Sequence, residues 1–184
     1  MLTGSGLRVF RTKEPTTDFD LSQEESSEGI ELARRLADDR KHHIEKAIRP
    51  ALAQHDAVIT DRYIASSLVF QVLDGVPFDR VWELNQGFML PDLNIFLTVD
   101  EHSSLRRFNE RREQSHTTRL ERAMQVDDEA GYYQAAKAFL ASRGVHVAEI
   151  ANNDAESRSQ DGERLLQTAR AMADLIKKAC DQLS

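Results

Sequence analysis

The sequence predicts an α/β fold in which a parallel sheet carries helices on both faces. Short apolar segments alternate with longer segments whose apolar residues recur at helical spacing, which is the pattern of βαβ units. The segment at residues 57–60 is apolar on both faces, as a buried parallel strand is. Because no repeat, linker or low-complexity segment interrupts the chain, residues 1–184 are expected to form a single domain.

The first part of the chain supplies two predicted strands with a helix between them. Residues 7–12 alternate apolar and polar side chains, and Pro15 ends that strand. Residues 16–27 are polar and acidic without a period, so a loop is expected there. Apolar residues then recur at helical spacing over 30–50, and the strand at 57–60 follows.

The second part of the chain continues the alternation of helices and strands. Helical spacing predicts helices at 64–73 and 77–89, which Asp74 and Gly75 separate. Asp100 can cap the helix that follows the third strand, and Gly144 ends a long helix. The remaining predicted elements are strands at 93–99 and 145–150 and helices at 100–112, 118–143 and 155–183.

Composition limits the classes of function. The formal net charge of -7 argues against a general nucleic-acid or membrane-surface binder, which needs a basic face. One cysteine, Cys180, excludes an internal disulfide and fits a reducing compartment. No segment has the roughly 18–20 apolar residues of a membrane helix, and the N-terminus lacks the apolar region of a signal peptide. We therefore expect a cytoplasmic protein without nucleic-acid or membrane partners.

The most informative residues follow the strand at 57–60. That strand delivers Asp61 and Arg62 to one place, and an acid beside an arginine at the carboxyl end of a parallel strand suits magnesium-phosphate chemistry. The next helix adds polar and aromatic side chains at Ser66, Ser67, Phe70 and Gln71. Because right-handed crossovers bring the strand ends to one side, a common cleft is expected. Its members would be residues 12–14, 61–62, Asp100, Asn152 and Asn153.

Five short motifs occur in a fixed order along the chain. They are Thr-Lys-Glu-Pro at 12–15, Ala-Asp-Asp-Arg-Lys-His-His at 37–43, Ile-Arg-Pro-Ala-Leu at 48–52, Asp-Arg-Tyr with Ser-Ser-Leu-Val-Phe-Gln at 61–71, and Pro-Asp-Leu at 91–93. With these gaps the series resembles the thymidylate kinase family of nucleoside monophosphate kinases. The resemblance covers nearly all of the chain from Leu7 onward.

The resemblance implies a three-layer α/β/α fold of the P-loop kinase kind and an enzyme that phosphorylates dTMP to dTDP. ATP would be the co-substrate, with Mg²⁺, in a homodimer that serves nucleotide biosynthesis. Arg40 and Arg62 would hold the acceptor phosphate, and Asp61 would be a catalytic residue associated with the metal. Glu14 would line the acceptor pocket. Phe70 would lie along the base, with Gln71, Ser66 and Ser67 at its edge, and we assign Asn152 and Asn153 to the ATP side.

Each of these roles has a simpler alternative from the residues alone. Arg40 could be a solvated helix charge beside Asp38 and Asp39. Asp61 could cap a helix or pair with Arg62, Phe70 could belong to the core, and Glu14 could be an ordinary turn residue. The pair His42 and His43, with Glu45, is not expected to share an ion, because adjacent helical side chains point about 100° apart.

An arginine cluster occupies the segment where these kinases carry a lid, at about residues 106–119. A mobile arginine can neutralise charge on the transferring phosphoryl group while closure excludes water. Arg111 and Arg119 are the preferred catalytic arginines, and Arg107 and Arg112 are the alternates. A solvated helix surface interleaved with glutamates would give the same pattern.

The chain departs from the family pattern in two places. It contains no Gly-Lys dipeptide and hence no GxxxxGK[ST] phosphate loop, and residues 3–6 are a poor substitute. In the family's strand order, 2-3-1-4-5, the absent first strand is central and lies between the strands at 57–60 and 93–99. Leu36 stands where a phenylalanine commonly meets the base, which leaves base selectivity open.

We therefore expect a thymidylate kinase-like protein that is inactive or incomplete as the chain stands. A noncatalytic nucleotide-binding or interaction protein and a nonfunctional remnant are the alternatives.

Overall fold

The computed structural model describes residues 7–20, 22–100, 103–104, 106, 119–120, 126–153 and 158–183. Strands and helices alternate through these residues in the predicted order. The strands are β1 (Val9–Lys13), β2 (Ala57–Asp61), β3 (Asn94–Thr98) and β4 (Val147–Ala151). The helices are α1 (Ser22–Ser26), α2 (Gly29–His43), α3 (Arg49–Leu52), α4 (Ile64–Leu73), α5 (Phe78–Asn85), α6 (Val126–Ser142) and α7 (Arg158–Leu183).

The predicted parallel pairing is confirmed, and the strands form two pairs. β1 pairs with β2 in parallel, with Val9 opposite Ala57 and Lys13 opposite Asp61. β3 pairs with β4 in parallel, from Asn94 opposite Val147 onward. Among the described residues β2 and β3 are not hydrogen-bonded to each other. The division falls where the family's strand order places its central strand.

This division explains why β2 is less buried than its sequence predicts. An apolar run on both faces predicted a fully buried strand, but residues 57–60 are only half-buried. A central strand of a parallel sheet is covered by helices and has a neighbour on each edge. Within the described residues β2 pairs on one edge only, with β1.

The first long helix does not end at Pro50 as predicted. The backbone stays helical from α2 through a π-helical turn at Ile44–Ile48 and into α3, whose first turn contains Pro50. A proline lacks the N–H that would bond four residues back, and its ring crowds that carbonyl. The wider π turn at Ile44–Ile48, directly before Arg49 and Pro50, is where the hydrogen-bond pattern changes, and π-helical turns, which are rare, occur mostly as such single turns inside α-helices.

Other helix ends also differ from the predictions. Part of the polar segment at 16–27 forms the short helix α1 rather than a loop. The helix predicted at 77–89 ends at Asn85. α6 is described from Val126, and residues 121–125 of the helix predicted at 118–143 lie outside the described residues. The Asp100 cap is present, since the Ser103 N–H donates to Asp100 Oδ1 at 2.7 Å.

α4 lies at the centre of the packing and carries the candidate site. It contacts α2, α5 and α6, and its side chains Ile64, Leu68 and Val69 are essentially inaccessible. Leu32 of α2 and Leu140 of α6 are buried against the same core. The packing of this face therefore fixes where α4 presents the side chains of its other face. No described helix has both the length and the apolar character needed to cross a bilayer.

Candidate nucleotide-binding site

A cavity opens where β1 and β2 end, between α2 and α4. It brings together residues that are far apart in the sequence and that share a wall of one cleft. They are Glu14, Pro15, Glu24, Leu36, Asp39, Arg40, Arg62, Tyr63, Ser66, Ser67, Phe70, Gln71 and Leu120. The set includes every predicted acceptor-side residue. Asp61 is not among the lining residues, although it immediately precedes Arg62.

Arg62 occupies the rim of the cavity in an unusual backbone conformation. Its φ of 65° lies in the left-handed region, where a residue with a Cβ is disfavoured. The turn is supported by Thr60, whose hydroxyl donates to the Arg62 carbonyl at 2.8 Å. The Arg62 guanidinium lies over the Phe70 ring, 5.1 Å from its centroid. Such backbone strain is commonly retained at functional sites, and here it directs an exposed arginine over an aromatic wall.

Arg40 forms the buried inner wall of the cavity. Its Nε and Nη2 donate to Glu14 Oε2 at 2.9 and 2.7 Å, and Nη2 also donates to Ser67 Oγ at 2.9 Å. Nη1 donates to Asn85 Oδ1, and the guanidinium stacks 4.7 Å from the centroid of the Tyr63 ring. Arg40 is 3% exposed and Glu14 is 7% exposed, so this is a desolvated ion pair. The interpretation of Arg40 as a solvated helix charge is therefore wrong.

This pairing changes the expected role of Arg40. A phosphate ligand needs an arginine fork that can turn toward the anion, whereas the Arg40 fork holds Glu14. Arg62 is exposed and lines the same cavity, so its position is better suited to a phosphate. Binding of the acceptor phosphate by both arginines stays a prediction. The geometry favours different roles for the two arginines, with Arg62 near the phosphate and Arg40 in the cavity wall.

The aromatic and aliphatic walls of the cavity come from two helices. Phe70 of α4 is 9% exposed and belongs both to the core cluster and to the cavity lining. Leu36 of α2 is half-buried and lines the same cavity. Ser66, Ser67 and Gln71 place hydroxyl and amide groups beside Phe70. The cleft thus combines apolar walls with a few polar groups, as small-ligand sites generally do.

The other predicted cofactor and metal residues lie at strand ends. The Asp61 carbonyl accepts the Glu14 N–H at 3.0 Å, and its side chain is exposed. Asn153 Oδ1 accepts the Asp100 N–H at 2.8 Å, and the Asn152 N–H donates to the Thr98 carbonyl at 2.7 Å. The strand-end residues of β1 and β2 therefore contact each other, and so do those of β3 and β4.

Arg119 is anchored to the body of the protein. Its Nη1 and Nη2 donate to the two Asp74 carboxylate oxygens at 2.7 and 3.0 Å. It also donates to the backbone carbonyls of Glu24 and Ser27, and hydrogen bonding to Asp74 raises its pKa. Arg119 is not among the lining residues of the cavity. Its catalytic role stays a prediction, and the geometry favours a structural one. Arg111, Arg107 and Arg112 lie outside the described residues.

Sequence reasoning missed several residues that shape the site. Asp39 accepts both the N–H and the hydroxyl of Thr16, at 2.9 and 2.5 Å, and so holds the loop after β1. Asn85 is 3% exposed. Its position on the apolar side of the amphipathic helix α5 was the sequence feature that could have identified it as a buried polar residue. His43 is buried against Glu14, whereas His42 is exposed and contacts the Asp38 carbonyl. The two histidine side chains thus point to different surroundings.

Tyr63 links the cavity to the segment before β3. Its hydroxyl donates to the Met89 carbonyl at 2.8 Å, and burial raises its pKa to about 12. The neutral phenol is therefore the relevant form at neutral pH. Its ring then supplies a fixed surface for the Arg40 guanidinium.

The fold is that of a parallel α/β protein, and the cleft, lined by arginine, hydroxyl and aromatic side chains, lies where β1 and β2 end. The family model described as thymidylate kinase matches residues 2–158. The chain belongs to the thymidylate kinase family, whose fold is that of the P-loop kinases.

Individual relatives match shorter stretches. A thymidylate kinase of Leuconostoc mesenteroides is 42% identical over 78 residues, which cover 40% of this chain and 37% of the relative. One of Xanthomonas oryzae pv. oryzae is 35% identical over 116 residues, covering 60% and 51%. A probable thymidylate kinase of Methanococcus maripaludis is 35% identical over 102 residues, covering 55% and 49%. The chain thus spans about half the length of the relatives it matches, or less.

Proposed function

We propose that this chain carries the acceptor side of a kinase that transfers a phosphoryl group from ATP to dTMP, giving dTDP and ADP. The observation that supports this most directly is the joint presence of Arg62 and Phe70 in one cleft at the end of β2. A nucleoside monophosphate presents a flat base and a dianionic phosphate, which call for an aromatic wall and a guanidinium. Nucleotide biosynthesis is the corresponding role.

The phosphate of the acceptor is assigned to the Arg62 end of the cleft. The acids of the cavity lie elsewhere and are bonded to protein groups. Glu14 pairs with Arg40, Asp39 accepts from Thr16, and Glu24 Oε1 accepts the Leu120 N–H at 3.3 Å. A phosphate at the rim therefore meets a guanidinium and stays away from buried carboxylates, while base and sugar occupy the inner part.

The base is assigned to the space between Phe70 and Leu36. Ser66, Ser67 and Gln71 would form hydrogen bonds along its edge, and Glu14 would line the pocket behind them. The choice of thymine rests on the family, because Leu36 and Phe70 supply apolar contact that any base can use. Arg40 would fix the position of Ser67 through their 2.9 Å hydrogen bond.

Mg²⁺ and ATP belong to the proposal as the family's cofactor and co-substrate. Mg²⁺ is usually held by one or two carboxylates together with substrate phosphates, and the exposed carboxylate of Asp61 fits this pattern. The described residues contain no group of three or more acid, histidine or cysteine side chains that would suit a transition metal better. Asp61 would hold the ion, which supplies charge neutralisation at the phosphates. Asn152 and Asn153 are assigned to the ATP side.

The remaining family features enter as proposals of the same kind. Residues 1–184 would act as one domain with a lid at about 106–119, in which Arg111 is the preferred catalytic arginine. The protein would be a homodimer. The acceptor oxygen would attack the γ-phosphorus in line, without a covalent enzyme intermediate.

Two measurements on the 184-residue chain test the proposal. Calorimetric titration should detect dTMP binding, and affinity should fall when thymidine, which lacks the phosphate, replaces dTMP. A coupled assay of ADP release with dTMP, ATP and Mg²⁺ then measures whether the chain also transfers the phosphoryl group, since its sequence has no GxxxxGK[ST] loop and inactivity is expected. Absence of dTMP binding at millimolar concentration would contradict the acceptor site itself.

A noncatalytic nucleotide-binding protein is the second candidate. It is favoured by Arg119, a predicted catalytic arginine that is engaged by Asp74 and two backbone carbonyls. In this case dTMP would raise the melting temperature, because a ligand that binds only the folded state stabilises by RT ln(1 + [L]/Kd). ADP release would stay at the level of the no-enzyme control.

A further inference from the structure

A chain of buried polar side chains runs behind the cavity wall. His43 Nδ1 lies 3.0 Å from Glu14 Oε1, and His43 Nε2 lies 2.6 Å from Thr12 Oγ1. Glu14 Oε2 accepts from Arg40, which reaches Ser67 on α4. His43 is 4% exposed and is not among the cavity-lining residues. This series of hydrogen-bonded side chains therefore connects β1, α2 and α4. Its histidine is buried behind the residues that line the cavity.

His43 fixes the orientation of the Glu14 carboxylate. The terminal torsion of a glutamate is broad and poorly restrained by itself. Here one carboxylate oxygen binds Arg40 and the other binds His43, so rotation would break hydrogen bonds on both sides. The orientation of Glu14 in turn sets the plane of the Arg40 fork, because Nε and Nη2 both donate to the same oxygen. Ser67 is then held at a defined place in the cavity.

The hydrogen bonds also assign a tautomer to His43. A carboxylate oxygen can only accept, so Nδ1 carries the proton that points at Glu14. In the neutral ring Nε2 then accepts from the Thr12 hydroxyl, which satisfies every polar atom of the ring. This assignment follows from the network of partners. It predicts that Nδ1 of His43 carries a proton.

We propose that His43 is a positioning residue of the acceptor site, acting through Glu14 and Arg40 on Ser67. The inference rests on the proposed function for its consequences in binding, but the positioning can be measured without any nucleotide. Loss of His43 should weaken the binding of dTMP and of thymidine by the same factor, because the affected wall faces the base and sugar. Loss of Arg62 should weaken the binding of dTMP and leave the binding of thymidine unchanged.

The binding test compares His43→Leu with His43→Gln in the full chain. Leucine removes both hydrogen bonds, whereas glutamine can donate to Glu14 and accept from Thr12 at similar positions. We expect about a tenfold loss of affinity for both ligands in H43L, the size typical of a lost hydrogen bond to a charged group. H43Q should stay within about threefold of the unaltered protein, by the same reasoning. Equal affinities in H43L and the unaltered protein would overturn the proposal.

The ligand-free test uses nuclear magnetic resonance of side chains. In the unaltered protein the Arg40 Nε–H should give a resolved signal protected from solvent exchange, and the ¹⁵N shifts of His43 should place the proton on Nδ1. The Arg40 signal should be retained in H43Q and lost in H43L.

A proton on Nε2 with none on Nδ1 in the unaltered protein, or an unchanged Arg40 signal in H43L, would overturn the proposal even if no nucleotide binds. Failure of the unaltered protein to bind dTMP would instead contradict the proposed function. A variant that does not fold leaves the tautomer measurement as the deciding observation.

Discussion

The guanidinium of Arg62 lies over the ring of Phe70, with 5.1 Å between the Arg62 Cζ and the ring centroid. One residue ends the turn after β2 and the other lies two turns into α4. The contact holds a positive charge at the mouth of the cleft above an aromatic wall. Ring faces attract cations, so Phe70 keeps Arg62 at the rim.

Replacing Arg62 should separate phosphate recognition from recognition of the nucleoside. A charge-assisted hydrogen bond contributes roughly 1.5–3 kcal/mol, so Arg62→Gly should weaken dTMP binding by about ten- to a hundredfold. Thymidine binding should stay nearly unchanged. Calorimetric titration of both ligands measures the difference.

Arg62→Ala is the matched control for the backbone. Glycine adopts a φ of 65° without strain, whereas alanine does not. The two variants should therefore bind dTMP equally weakly, and the glycine variant should be the more stable in urea. Equal losses for thymidine and dTMP would contradict a phosphate role for Arg62.

Phe70→Leu should reveal how far the ring contributes to ligand binding apart from the core. Leucine is smaller than phenylalanine, so the change removes buried ring atoms and should also lower the free energy of unfolding. Affinity for thymidine and dTMP should fall together by roughly three- to tenfold, since an aromatic contact contributes about 0.5–1.5 kcal/mol. Unfolding can be followed by the fluorescence of Trp82, the sole tryptophan.

Leu68→Met provides the comparison on the same helix. Leu68 is fully buried and lies outside the cavity, so its replacement should affect stability and leave affinity unchanged. If F70L reduced affinity no more than L68M, Phe70 would be a core residue only.

Removal of the Asp74 carboxylate should loosen the attachment of Arg119. Asp74 accepts from both terminal nitrogens of Arg119 and from the Gly29 N–H at 2.6 Å, so it joins the end of α4 to the start of α2. Asp74→Asn and Arg119→Gln should each lower the free energy of unfolding by about 1–3 kcal/mol. The double variant should lose less than the two effects added, because they remove one shared interaction. Urea denaturation measures all three.

An exposed pair on α5 serves as the control for this prediction. Arg80 and Glu83 form an ion pair with both side chains about half exposed. Such pairs contribute about 0–1 kcal/mol, so Glu83→Gln should be close to neutral. A D74N effect no larger than that of E83Q would contradict a structural role for the Asp74–Arg119 pair.

The contribution of Tyr63 to the free energy of unfolding should decrease at alkaline pH. Burial raises the pKa of its phenol in the folded protein to about 12, from 10.0 for an unperturbed tyrosine. The contribution is therefore complete below pH 10 and is lost as the pH rises from 10 toward 12, because the unfolded chain ionises first. The stability difference between the unaltered protein and Tyr63→Phe should shrink across this window. A pH-independent difference would mean that the phenol is not buried.

Much of the architecture and of the site follows from the sequence alone. The order of strands and helices could be identified from the spacing of apolar residues, which is two in strands and about 3.6 in helices. Burial of one face imposes this spacing on each element, whatever element packs against it. The same reasoning placed Arg62 and Phe70 near one another, since a strand end and the following helix are adjacent in the chain. The family motifs carried the rest, including the interpretation of Glu14 and Arg40 as pocket residues.

The tertiary structure decided which partner each charged side chain uses. Arg40 and Glu14 are separated by 26 residues, and Arg119 and Asp74 by 45, so no local pattern joins them. A sequence period tells which face a residue occupies but not which group lies opposite that face. The family motifs suggested Arg40 as a phosphate ligand and Arg119 as a lid arginine, and both roles stay predictions. In the folded protein Arg40 pairs with the buried carboxylate of Glu14 and Arg119 is anchored to Asp74, and a buried charge requires such a fixed partner.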